Sequence, residues 1–140
     1  MFAQANPFRA PTSQVLSSLY RQVGVQTGVE SASPHQLVLM LFDGVLEAIV
    51  QARGAMEAGD VEVKGRAITR AARIVDEGLK AALSPAGGEI TTNLSNLYHY
   101  LSTRLVQAHL RNDVKALDEC RRLIEPLRDA WLTIGAQVQR

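Results

Sequence analysis

The sequence predicts an all-α fold, an antiparallel up-and-down four-helix bundle with a short N-terminal helix and a flexible N-terminal tail. Three observations carry this. Four long stretches repeat their apolar residues at three- and four-residue steps, the junctions between them are only two to five residues long, and no stretch alternates as a strand would. A chain of 140 residues fits a single domain spanning 1–140, large enough to bury a core without metal or disulfide support. The lone Cys120 leaves no internal disulfide to form and fits a reducing compartment. It falls in register with Leu117, Ile124 and Leu127 and reads as a small buried hydrophobe. Fifteen basic against fourteen acidic residues leave a net charge of +1, so no strong field favours nucleic acid or an anionic membrane. The start of the chain lacks a signal-peptide pattern, and the longest uncharged apolar run, around 31–42, is too short to cross a bilayer. A soluble cytoplasmic protein with no membrane insertion is expected.

Residues 1–11 contain two prolines, two phenylalanines and one charged side chain, with no helical period, and are read as a tail. Solvated tails usually lack aromatics, so Phe2 and Phe8 either dock back onto an apolar surface or are incidental. Thr12 or Ser13 can cap a short helix over 12–24, in which Val15, Leu16, Leu19, Tyr20 and Val23 share a face. At that length it needs tertiary packing to persist. Residues 24–32 read as a linker.

Ser33-Pro34-His35-Gln36 opens the first long helix and the bundle proper, expected over 33–138. The serine is the N-cap, the proline suits the first helical position, and Gln36 closes a capping box. Along this helix, expected to reach Ala58, Leu37, Leu41, Val45, Ala48, Ile49, Ala52 and Ala55 form one face. Leu39, Leu46 and Val50 form a second stripe, with Phe42 on the shared border. Two readings stand: a central helix buried all round, or a second stripe facing a groove for another polypeptide.

Gly59 ends this helix and Asp60 caps the next, expected over 61–83 with Ala67, Ile68, Ala71, Ile74, Val75, Leu79 and Ala82 inward. Its outer face pairs Arg73 with Glu77 and Asp76 with Lys80 at four-residue spacing, and the Arg66, Arg70, Arg73 row reads as solvated surface. Ser84-Pro85-Ala86-Gly87-Gly88 is a turn. The third helix, about 89–111, has a core stripe of Ile90, Leu94, Leu97, Leu101, Leu105 and Ala108, with Tyr98 beside it. Its other face, Thr91, Thr92, Asn93, Ser95, Asn96, Ser102 and Thr103, is polar but uncharged, which suits either a wall against an extended peptide or a merely low-charge helix. Asp113 caps the fourth helix, about 114–138, with Leu117, Cys120, Ile124, Leu127, Trp131, Ile134 and Val138 in heptad-like spacing. Pro126 inside it predicts a kink near 122–125, and Asp118 with Arg122 and Arg121 with Glu125 are expected surface pairs.

No catalytic constellation is legible. No glutamate has a histidine three residues on, as a di-metal bundle requires, and His35, His99 and His109 are scattered and read as exposed polar residues. Gly54 to Gly59 has the outer spacing of a phosphate loop, but Asp60 and Val61 stand where Lys and Ser or Thr are needed. No cofactor or metal is expected. Binding through apolar surface is the better inference, with a self-associating structural bundle as the alternative.

Several motifs in order then resemble the flagellar export chaperone family FliS: Ser31-Ala32-Ser33-Pro34-His35-Gln36-Leu37, Met40-Leu41-Phe42-Asp43-Gly44, Gly59-Asp60, Lys64-Gly65, Gly87-Gly88-Glu89-Ile90, Asn93-Leu94, Leu97-Tyr98, Leu110-Arg111-Asn112-Asp113 and Ala130-Trp131. The resemblance implies a cytoplasmic bundle that holds the disordered C-terminal segment of flagellin before type III export, prevents premature polymerisation, and meets the membrane export gate with its client. Leu39, Phe42, Leu46, Val50, Asn93, Asn96 and Tyr98 are the candidate contact residues. Phe2, Phe8 and Tyr20 are candidates for a lid over the same surface when no client is present. Phe42 stands where relatives often carry a tyrosine before Asp-Gly, and His99 where an acid is frequent.

Overall fold

Residues 32–138 are described by a computed structural model; the expected tail and short helix, with Phe2, Phe8 and Tyr20, lie outside the described residues. Four helices account for most of the rest. They are α1 (Pro34–Ala58), α2 (Val61–Arg73) running into a π-helical turn (Ile74–Leu79), α3 (Glu89–Arg111) and α4 (Val114–Val138), with a 3₁₀ turn (Pro85–Gly87) before α3. Among the described residues there is no strand. Each helix packs on its sequence neighbour and α4 returns to α1, so the two-residue junctions build a closed antiparallel ring of four.

The helix ends form as their residues dictate. The Ser33 hydroxyl accepts from the Gln36 N–H (3.2 Å) while the Ser33 N–H donates to the Gln36 side chain (2.9 Å), so the capping box is complete. Gly59 ends α1 in the left-handed region at φ 72°, and Asn112 ends α3 at φ 53°. The Asp60 carboxylate takes the Val63 N–H (3.1 Å), and that of Asp113 takes the Lys115 N–H (2.9 Å).

The broad face of α1, Leu37 to Ala55, is buried throughout, and it meets Ala67, Ile68, Ala71, Ile74 and Val75, Leu101, Leu105 and Ala108, and Leu117, Cys120 and Ile124. Burial pushes the Cys120 thiol up to about 12, in keeping with a side chain that acts as a hydrophobe. The core does not run the full length of the bundle. Ile90, expected inside, is 66% exposed, Leu94 and Leu97 are half-buried, and on α4 Leu127 and Trp131 are half-buried while Ile134 is exposed. The bundle closes at one end and stays open at the other.

Three further expectations are corrected. The second helix does not continue regularly to 83: from Ile74 its bonds shift to the π pattern, with the Lys80 N–H reaching the Val75 carbonyl (2.9 Å). Ile74, Val75, Gly78 and Leu79 of that turn are all buried. Gly78 admits Leu41, whose Cδ2 would lie 2.9 Å from any Cβ there. The same shift turns Asp76 toward α3, where its carboxylate accepts from the buried Ser102 hydroxyl (2.7 Å). Asp118 bonds Arg53 of α1 (3.0 Å), because it sits at the partly exposed edge of α4 that faces the neighbouring helix. Arg73–Glu77 and Arg121–Glu125 form as expected. The helix is continuous across Pro126, which is exposed.

Replacing Gly59 by alanine forces a Cβ into the left-handed region and should cost about 1 kcal/mol of stability without changing helicity. Urea denaturation followed by circular dichroism measures this; an unchanged midpoint would mean the α1–α2 junction is not strained by a side chain.

Candidate functional site

The open end is a groove. Antiparallel packing gathers there the start of α1, the π turn, the start of α3 and the end of α4. Between them lies a cavity of about 370 Å³ lined by Val38 and Phe42, Leu79, Ile90, Leu94 and Tyr98, and Leu127, Trp131 and Ile134, with Ala82, Ser84, Gly87, Thr91 and Ala130 completing it. No charged side chain is among the lining residues. Two of its three hydroxyl-bearing residues are already engaged: the Thr91 hydroxyl donates to the Ser84 carbonyl (2.6 Å), and the Ser84 hydroxyl accepts from the Ala86 N–H (3.3 Å). Tyr98 contributes its ring, at 3% exposure, and burial holds its phenol neutral by pushing it up to about 12.

Trp131 forms the rim against α1. Its indole stacks on His35 with ring centres 4.5 Å apart and planes within 7°, and its Nε1–H donates to the His35 carbonyl (2.9 Å). His35 is therefore a half-buried packing residue and not the exposed polar group expected, because α4 crosses directly over the first turn of α1. Outside the groove, ion pairs stitch α4 to its neighbours: Arg128–Asp43 (2.6 Å) and Arg53–Asp118 (3.0 Å) to α1, and Arg104–Glu119 (2.7 Å) to α3. The Tyr100 hydroxyl (2.6 Å) and Arg104 hold the Glu119 carboxyl below its usual range.

Of the residues singled out from the sequence, Phe42 and Tyr98 meet in this groove. Leu39, Leu46 and Val50 do not line it. They share a helix face with Asp43 and Arg53, both bonded to α4, so the second stripe follows the α1–α4 seam, with Leu39 and Leu46 half-buried and Val50 59% exposed. Asn93 and Asn96 are exposed on α3 and also lie outside the groove lining. Four of the five hydroxyls on that face are taken up within the fold, Thr91 by Ser84, Thr92 by Gly88, Thr103 by His99 and Ser102 by Asp76. The residues the sequence did not assign to a site, Ile90, Leu94, Leu127, Trp131 and Ile134, carried the right signal, apolar periodicity, which reads as core when its partner helix is assumed.

An uncharged apolar groove offers its occupant surface, and no acid, base or nucleophile; among the described residues no cluster of three or more His, Cys, Asp or Glu could hold a metal ion. No described helix is long and apolar enough to cross a membrane. The fold and site thus define a helical-bundle binding protein. The family described as "Flagellar protein FliS" matches residues 16–138. The chain is 53% identical over 117 residues to the flagellar secretion chaperone FliS of Salmonella typhimurium, covering 83% of this chain and 87% of that protein. It is 45% identical over 113 residues to the flagellar secretion chaperone FliS of Escherichia coli, covering 80% and 83%. With the flagellar secretion chaperone FliSB of Pseudomonas aeruginosa it shares 42% over 113 residues, covering 80% and 89%. The chain belongs to the FliS family of flagellar secretion chaperones, a family of chaperones and not of enzymes.

The His35 ring also carries a pH signature. Burial lowers its pKa below the ordinary 6.5, partly offset by the Trp131 backbone, so the folded state favours the neutral ring. Its stabilising effect is complete above pH 6.5 and is lost as pH falls through the lowered folded value. Thermal melts at pH 7.5 and 5.5 should therefore show a larger acid loss in the unmodified protein than in His35→Phe; equal losses would remove His35 from the pH response.

Proposed function

We propose that this chaperone holds the C-terminal segment of flagellin in the cytoplasm before export, keeps it from polymerising, and seats an amphipathic helix of that client in the apolar groove. The supporting observation is the groove's chemistry. Its Ser84 and Thr91 hydroxyls are engaged with the protein's own backbone and the Tyr98 phenol is the one polar side-chain group left over, so most of an occupant's N–H and C=O groups are to be satisfied from within the occupant. A helix does this. It would enter with apolar side chains at three- and four-residue steps, against Phe42, Leu94, Tyr98 and Trp131. Beyond the groove the client follows the α1–α4 seam over Leu39, Leu46 and Val50, and crosses α3 near Asn93 and Asn96, whose exposed amides suit an extended backbone.

The client is disordered when free. Ordering such a segment costs about 2–5 kcal/mol and requires a large apolar interface to offset it. The loaded chaperone then meets the membrane export gate. In the unloaded state the N-terminal residues, with Phe2, Phe8 and Tyr20, act as a lid on the same groove; the described chain starts at its mouth, where Ala32 packs against the core.

Calorimetric titration with the C-terminal segment of the same organism's flagellin tests the reading, with circular dichroism on the mixture. One-to-one binding with gained helicity is expected. Ile90→Glu places a charge on an exposed groove residue; it should leave the fold intact and weaken binding by about 30-fold or more, the size of an interface hot spot. Unchanged affinity in the folded variant would place the client elsewhere. Deleting residues 1–12 should tighten binding or speed association, and no change in either would remove the lid.

A further inference from the structure

We propose that His35 and Gly135 are positioning residues that latch Trp131 in place as a preformed wall of the groove. This rests on the reading of the groove as the client site, and goes beyond it by assigning the site's preorganisation to two residues that do not line it.

Two contacts hold one indole, and a third feature seats the ring that makes them. One flat face of Trp131 is covered by the His35 ring, stacked at 4.5 Å, and its only polar atom is held by the His35 carbonyl at 2.9 Å. The third feature is a space. Gly135 lies one helical turn beyond Trp131, and a Cβ there would collide with Nε2 and Cδ2 of the His35 ring. Any larger residue at 135 expels the imidazole from its seat. Gly135 is buried in the last turn of α4, where its missing side chain keeps that seat open. His35 Nε2 is buried in that seat without a well-formed hydrogen bond, so the stacked face is the ring's main contact there.

The latch has a consequence for binding. Trp131 is half-buried and borders the open groove, so without the stack its side chain could turn away from or into the cavity. Fixing it beforehand removes that ordering cost from association. Because His35 stands in the first turn of α1, the latch also ties the end of α4 to the point where the N-terminal residues join the bundle.

The test uses the fact that Trp131 is the chain's one tryptophan, so intrinsic fluorescence reports on the latch alone. Three full-length variants are compared with the unmodified protein: His35→Ala, His35→Phe and Gly135→Ala, with circular dichroism verifying helicity. His35→Ala and Gly135→Ala should red-shift the emission and weaken binding of a synthetic flagellin C-terminal peptide by about tenfold, the order expected from losing one aromatic pair and its preorganisation. His35→Phe retains a stacking ring and should restore both readouts, which a merely structural loss at this position would not do. Unchanged emission in folded His35→Ala and Gly135→Ala overturns the latch, as does a His35→Phe protein that behaves like His35→Ala. Fluorescence is read without peptide, so failure of the peptide to bind the unmodified protein would overturn the client reading while the emission data still decide the latch.

Discussion

Side-chain size along the bundle governs where this protein can bind anything. At the end that carries the two-residue junctions the buried contacts are largely alanines, Ala48, Ala52 and Ala55 on α1, Ala67 and Ala71 on α2, Ala108 on α3 and Ala116 on α4. Small side chains let helices approach closely. Toward the other end the corresponding positions hold Phe42, Leu79, Leu94, Tyr98, Leu127 and Trp131. These do not fill the space between the helices, and the groove is what is left. The closed half therefore supplies stability, and the open half is released from that duty.

The charges follow the same division. The pairs that cross between helices, Arg53–Asp118, Arg104–Glu119 and Arg128–Asp43, join side chains at least partly open to solvent and stay out of the groove. Exposed pairs of this kind add little to stability. Their value is geometric, because two of them fix the register of α4 on α1 on either side of Leu46 and so set where Trp131 meets His35. The groove itself stays uncharged, which suits a surface that must be desolvated by whatever covers it.

The π turn shows how local irregularity shapes the site. Within it, Leu79 lines the groove floor and the Asp76 carboxylate reaches the Ser102 hydroxyl of α3. The driving contact is Leu41 pressed into the space over Gly78, a tertiary requirement that α2's own sequence marks only by an interior glycine.

By itself the sequence determined the helix boundaries other than the end of α2, the caps and the core face of α1, because these depend on interactions within four residues: the Ser33–Gln36 box, Gly59, Asp60, Asn112 with Asp113, and the recurrence of apolar side chains. It also carried motifs enough to mark the family. Phe42 and Tyr98, singled out for that reason, both line the groove. The tertiary structure alone decided which part of each apolar stripe has a partner. Ile90 and Leu105 occupy equivalent places in one stripe of α3, yet one is exposed and the other buried, since exposure depends on the distance to helices up to a hundred residues away. Asp118 bonding Arg53, and His35 meeting Trp131 over Gly135, are of the same kind. Periodicity reports a direction around a helix axis and carries no information about what stands opposite.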